Sequence, residues 1–183
     1  MRSVAILLTA AGAAVAATIA AHAQAIDLPT RKPGLWDMKM VTEKPAGIPG
    51  FRAQMCIDAA TDKDLFDFGL KMSKDSCRRY EVKRTGSAWL IDADCNIGPV
   101  KSATKTTISG DFQSSIDARI EGLTEGLPGT KGPQATLITQ TATWTSACSN
   151  GMKPGDIVLG GGLRMNVRQV KELRKMLPNI QIR

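Results

Sequence analysis

The sequence predicts a mainly β fold of the α+β class: a curved antiparallel meander sheet of about six to eight strands, one inserted helix, and an amphipathic helix at the C-terminus. Three observations lead there. Apolar and polar residues alternate with a period of two in several segments. Glycine and proline turn signals separate those segments at short intervals, which favours consecutive antiparallel neighbours. No section has the strand, helix, strand rhythm of a parallel sheet.

In chain order, Trp36, Met38 and Met40 alternate with Asp37 and Lys39 and predict the first strand. A second follows over Phe51–Ile57, after the turn residues Pro45, Gly47, Pro49 and Gly50. Thr61 with Asp64 three residues later reads as a capping start, and Leu65, Phe68 and Met72 share one helical face. Strands are then expected over residues 80–84, 88–93 and 102–109. Phe112, Ser114, Ile116, Ala118 and Ile120 alternate with polar neighbours, and the Thr-rich run 134–146 makes a last long strand. Asn166 can cap a final helix whose stripe is Val167, Val170, Leu173 and Leu177, ended by Pro178.

The first residues read as a secretory signal. Arg2 is followed by an uncharged stretch over residues 4–20, and Ala21-His22-Ala23 has the small-x-small form of a cleavage site. The competing reading is an uncleaved anchor, but alanine and glycine make the run weakly apolar. The organisation is thus a signal peptide over 1–23, a disulfide-stapled sheet domain over 24–158, and a Gly-rich linker with a basic helix over 159–183. Cleavage removes His22, the one histidine of the chain. The remainder then has no imidazole general base, no Ser-His or Cys-His pair and no histidine metal ligand.

The chain has four cysteines, Cys56, Cys77, Cys95 and Cys148, an even number that suits two disulfides in an exported protein. A hairpin folded about Gly86 places Cys77 nearly opposite Cys95, which leaves Cys56 for Cys148. In the symmetric register Val82 faces Leu90, while Trp89 and Ile91 fall on the side of Lys83 and Glu81. A one-residue bulge repairs that mismatch. No C-x-x-C occurs, so a metal site of four thiolates is not expected, nor any cofactor.

Lys-Pro-Gly occurs twice, at Lys32-Pro33-Gly34 and Lys153-Pro154-Gly155, and each reads as a type II corner at the entry or exit of one sheet domain. The order Lys32-Pro33-Gly34-Leu35-Trp36-Asp37, Met55-Cys56-Ile57-Asp58, Cys77 and Cys95 around a hairpin, then Ala147-Cys148 and Asn150-Gly151-Met152-Lys153-Pro154-Gly155-Asp156, resembles an exported bacterial family called domain of unknown function 3617. The resemblance covers residues 31–158. It implies a small secreted or periplasmic protein of the Gram-negative envelope, a largely antiparallel sheet, and no established activity or catalytic residue. The basic tail over residues 160–183 departs from it.

Candidate sites are few. Trp36, Trp89 and Trp144, with Met38, Met40, Ile116 and Ile138, can line the concavity of a curved sheet and hold an apolar ligand; the competing reading is ordinary core. Asp92 and Asp94 share a strand face but sit beside Arg78 and Arg79, which favours a solvated charge pattern over an acid/base pair. Asp58, Asp62, Asp64 and Asp67 lack the glycine and glutamate of a calcium loop and read as helix-start charges. Gly160, Gly161 and Gly162 read as a linker and not a phosphate cradle.

The net charge of +7 falls to about +6 without Arg2. Export argues against a nucleic-acid partner. Arg164, Arg168, Lys171, Arg174 and Lys175 suit an anionic envelope surface, against the ordinary reading of a solvated helix face. The expectation is a non-enzymatic exported envelope protein that binds a small apolar ligand or a partner. The alternative is a carboxylate-dependent periplasmic enzyme, for example a glycan-cleaving one.

Overall fold

The computed structural model describes residues 28–169 and residue 172. The expected signal segment and most of the expected C-terminal helix lie outside them, including Lys171, Arg174 and Lys175. Among the described residues these elements follow in order, before further helical residues from Val167: β1 (Gly34–Lys44), β2 (Phe51–Ile57), α1 (Ala59–Ser76), β3 (Cys77–Thr85), β4 (Ala88–Ile97), β5 (Val100–Gly110), β6 (Ser115–Glu125), β7 (Gln134–Ser146), β8 (Asp156–Leu159) and β9 (Arg164–Asn166). They form one open sheet in the order β3-β4-β5-β6-β7-β1-β2-β8-β9, and every described pairing is antiparallel.

The fold is the expected mainly β sheet with a helix inserted between β2 and β3, but the strands number nine and not six to eight. The two extra strands are β8 and β9, with four and three residues. Residues 160–162 close the turn between them, with the Gly162 N–H bonded to the Leu159 carbonyl at 2.9 Å. The glycine run read as a linker is therefore a hairpin turn, and the boundary drawn at 158 falls inside β8. Asn166 does cap the helical residues that start at Val167, since its Oδ1 accepts the Arg168 N–H at 3.0 Å.

Two further corrections are local. Helix α1 starts earlier than Thr61, because Asp58 is the cap: its side chain accepts the Thr61 N–H at 2.7 Å while Thr61 Oγ1 accepts the Asp58 N–H at 2.9 Å. Phe112 is not in a strand, since it takes φ 60° in the β5–β6 turn. There Asp111 Oδ1 accepts the N–H groups of Gln113, Ser114 and Ser115.

The β3–β4 hairpin turns on Gly86 and Ser87, so Val82 faces Ile91 and Arg84 faces Trp89. A register shift between Cys77 and Arg79 then restores Cys77 to the row of Cys95, and the expected bulge lies at that shift. The two cysteine pairs are Cys77–Cys95 and Cys56–Cys148.

Helix α1 links strands six positions apart in the sheet. Its 18 residues span about 27 Å. Six strand spacings alone come to about 29 Å, before any separation along the strands is counted. The sheet must therefore curl toward the helix. Leu65 of α1 packs on the main core of Trp36, Met55, Ile57 and Ala142, so the helix lies on the face those residues share. A smaller core of Leu35, Cys56 and Met152 lies with Cys148 on the opposite face.

Candidate functional site on the inner face of the sheet

Strand register decides which side chains share the helix side. Trp36 is opposite Trp144 and Met55, Met38 opposite Ala142 and Ala53, and Ile116 opposite Ala142. Following the rows outward, Ile138 pairs with Ile120, Ile120 with Thr106, Thr106 with Ile91, and Trp89 shares the side of Ile91. The four residues expected in a pocket, Trp36, Met38, Trp89 and Trp144, thus all lie on this inner face, with Met40, Ile116 and Ile138. They are not one cluster: Trp89 is on β4, four strands from Trp36, where its ring meets Phe112 edge-on at 5.2 Å.

The first Lys-Pro-Gly explains how two tryptophans are fixed. The Trp36 indole N–H donates to the Lys32 carbonyl at 2.8 Å, and that of Trp144 donates to the Pro33 carbonyl at 3.0 Å. Lys32 Nζ lies 3.5 Å from the Trp144 ring centroid, a cation–π contact. Gly34 then enters β1 at φ 136°, where a Cβ would collide with the Ser146 carbonyl and the Trp144 ring nitrogen. Gly34 at φ 136° lies well away from the roughly +80° that a type II turn requires, so this copy is not the expected turn. The second copy is: the Asp156 N–H donates to the Lys153 carbonyl at 2.9 Å and Gly155 takes φ 94°.

Burial on the inner face is uneven, with Trp144 and Ile116 half-buried near one end of the strands and Ala93 and Thr124 buried toward the other. At the end holding the start of β1 and the end of β2, Trp36, Ile57, Trp89 and Phe112 are buried. The segment before β1 helps to close that end: Lys32 donates to the Phe112 carbonyl at 2.9 Å, and Arg31 grips buried Asp62 of α1 through its backbone N–H at 2.9 Å and its Nε at 2.6 Å. Toward the other end Met40, Ile120, Ile138, Thr104 and Thr136 are only half-buried. This leaves a stretch of methyl and thioether groups, with hydroxyls among them, open beside the helix. The sequence singled out the tryptophans; it missed Ile120 and Thr136, which strand parity alone places on the same side.

A separate groove of about 760 Å³ lies mainly on the opposite face, lined by Asp37, Lys39, Arg52, Gln54, Thr141 and Thr143. Met38, Ala53 and Val158 add apolar surface to it, and the Gln54 side-chain N–H donates to Asp37 Oδ1 at 2.8 Å.

Several charged candidates form ion pairs or caps. Asp94 takes Arg79 at 3.1 Å and Arg78 at 3.7 Å. The Thr61 N–H and hydroxyl hold the Asp58 carboxyl below its ordinary value, offset in part by burial. Burial opposes ionisation of Asp156, but the Lys153 N–H, the Asn166 side chain and Arg164 outweigh it, so this carboxyl also lies low. Two of the residues expected on an anionic surface are tied to acids: Arg164 to Asp156 at 3.2 Å and Arg168 to Asp64 at 3.8 Å. Among the described residues no group of three or more potential metal-ligating side chains stands together.

Comparison with known proteins gives one match. The model of a family described as protein of unknown function (DUF3617) matches residues 31–148. No curated protein matches, and no solved structure matches.

Proposed function

We propose, on the premise that the chain belongs to the DUF3617 family of unknown function, that it is a non-enzymatic exported module of the bacterial envelope, holding an apolar ligand along the inner face of its sheet. The observation that carries this is the half-buried strip of Met40, Ile120 and Ile138, which continues a sealed apolar core but is itself left partly open. An ordinary core closes over such residues, because each buried methylene contributes about 0.8 kcal/mol. The Thr104 hydroxyl can meet the polar head of an amphiphile, while that of Thr136 is already paired with the Thr124 hydroxyl at 2.6 Å. Two cysteine pairs at disulfide distance support an oxidising compartment.

The test is native mass spectrometry of the protein isolated from cells expressing the full chain, followed by denaturation. A bound mass that disappears on denaturing is expected, and Ile138→Glu with Met40→Glu should abolish it while the fold persists. A clean native mass, with no uptake of an added long-chain fatty acid, would remove the reading.

A further inference from the structure

We infer that one end of the sheet, made by the β1–β2, β4–β5, β6–β7 and β8–β9 turns, docks on an anionic phospholipid bilayer. The antiparallel order puts these four turns together, with the last turn of α1, and sends β2–α1, β3–β4, β5–β6 and β7–β8 to the opposite end. The two ends treat apolar side chains in opposite ways. At the second end the apolar loop residues turn inward, Phe112 at 5% and Met152 at 8% exposure. At the first they point out: Ile48 at 45%, Ile97 at 58% and Leu163 at 61%. Single exposed apolar residues are ordinary, but here one projects from each of three turns at the same end, Ile48 and Leu163 on adjacent turns and Ile97 on the far side of the β6–β7 turn, and together they make a set of anchors.

Basic side chains gather at the first end, among Glu43, Asp75 and Glu125. Lys44, Lys74, Lys101 and Lys131 lie at the first end, and none of them has an ion-pair partner among the described residues. The opposite end mixes Asp58, Asp62, Asp64, Asp111 and Asp156 with Arg31, Lys32, Lys63, Arg84 and Lys153. Free ammonium groups around projecting aliphatic side chains match the chemistry of an anionic membrane interface, where both the headgroup charge and the acyl boundary are met at once. The half-buried strip of the inner face opens toward this same end, so an apolar ligand would pass between bilayer and sheet without crossing water.

The inference builds on the ligand-binding reading, yet its test needs no ligand. Protein isolated from cells expressing the full chain is floated with vesicles of equal parts phosphatidylglycerol and phosphatidylcholine, and with phosphatidylcholine alone. Flotation is expected with the anionic vesicles only, and is weakened by salt. Ile97→Glu with Leu163→Glu should lower the apparent affinity by at least about tenfold. Lys44→Gln and Lys131→Gln should each lower it about fivefold. Leu90→Glu and Lys83→Gln, nearer the other end, should change nothing. All these sites are exposed, and an unaltered urea midpoint shows that the variants fold. The docking is overturned if the wild type ignores anionic vesicles, if the turn variants float as it does, or if the distal variants lose as much. A bound native mass without flotation overturns the docking alone.

Discussion

Replacing Gly34 by alanine tests the account of how Lys32-Pro33-Gly34 seats the two tryptophans. At φ 136° the new Cβ points at the Ser146 carbonyl and the Trp144 ring nitrogen. Neither can retreat cheaply, because Ser146 ends β7 and the Trp144 indole is held by the Pro33 carbonyl. The backbone conformation costs a side-chain-bearing residue about 1–3 kcal/mol. Forcing a methyl group into occupied space adds about 1–3 kcal/mol. Gly47 provides the control: its φ is 88°, but nothing lies within 4 Å of a Cβ there, so Gly47→Ala carries the backbone cost alone. With a urea slope of about 2 kcal/mol per molar, an extra clash of about 2 kcal/mol moves the midpoint about 1 M below that of Gly47→Ala. Urea unfolding followed by tryptophan fluorescence reads this directly. Equal midpoints for the two variants would refute the reasoning, since the contact with Trp144 would then have no energetic weight.

Two further outcomes follow from loop closure and from a capping carboxylate. Cys56–Cys148 spans 92 residues and Cys77–Cys95 spans 18, so chain entropy predicts losses of about 4.6 and 3.2 kcal/mol when each pair is replaced by serine; urea midpoints that reverse this order would contradict it. The hydroxyl and N–H of Ser114, then the N–H groups of Ser115 and Gln113, hold the Asp111 carboxyl well below its ordinary value of 3.8. A carboxyl depressed in the fold lends stability that is complete above its unfolded value and is lost as pH falls through and below it. The wild-type midpoint should therefore drop from pH 5 toward pH 2 more steeply than that of Asp111→Asn, and parallel profiles would count against it.

Strand parity was legible where a segment is long and half-buried. Phe51–Ile57 and Gln134–Ser146 have the expected limits because alternating or threonine-rich residues run their whole length. Strands β8 and β9 were not legible, as four and three residues are too few to show a period and are held by pairing with β2 and each other. The start of α1 was misplaced by reading Thr61 as a cap, when it is the third helical residue bonding back to Asp58. Within the candidate site, parity assigned the tryptophans to one side. It could not tell that Trp36 would be wholly enclosed while Met40 stays half-open, because that depends on where α1 crosses.

The position of β1 in the sheet bears on how the chain acquires its covalent links. A chain that emerges N-terminus first presents Cys56 and then Cys77, yet each of these bonds a later cysteine in a nested arrangement, the outer pair enclosing the inner. Oxidation in order of appearance would join the wrong two. Strand β1, which lies between β7 and β2, has no β7 to pair with until residue 146 has been made. The hairpin of β3 and β4 can close and oxidise early, while Cys56 waits beside an unpartnered strand for Cys148. If Cys56 instead oxidised with Cys77 before residue 148 was made, only disulfide exchange would restore the nested pairs.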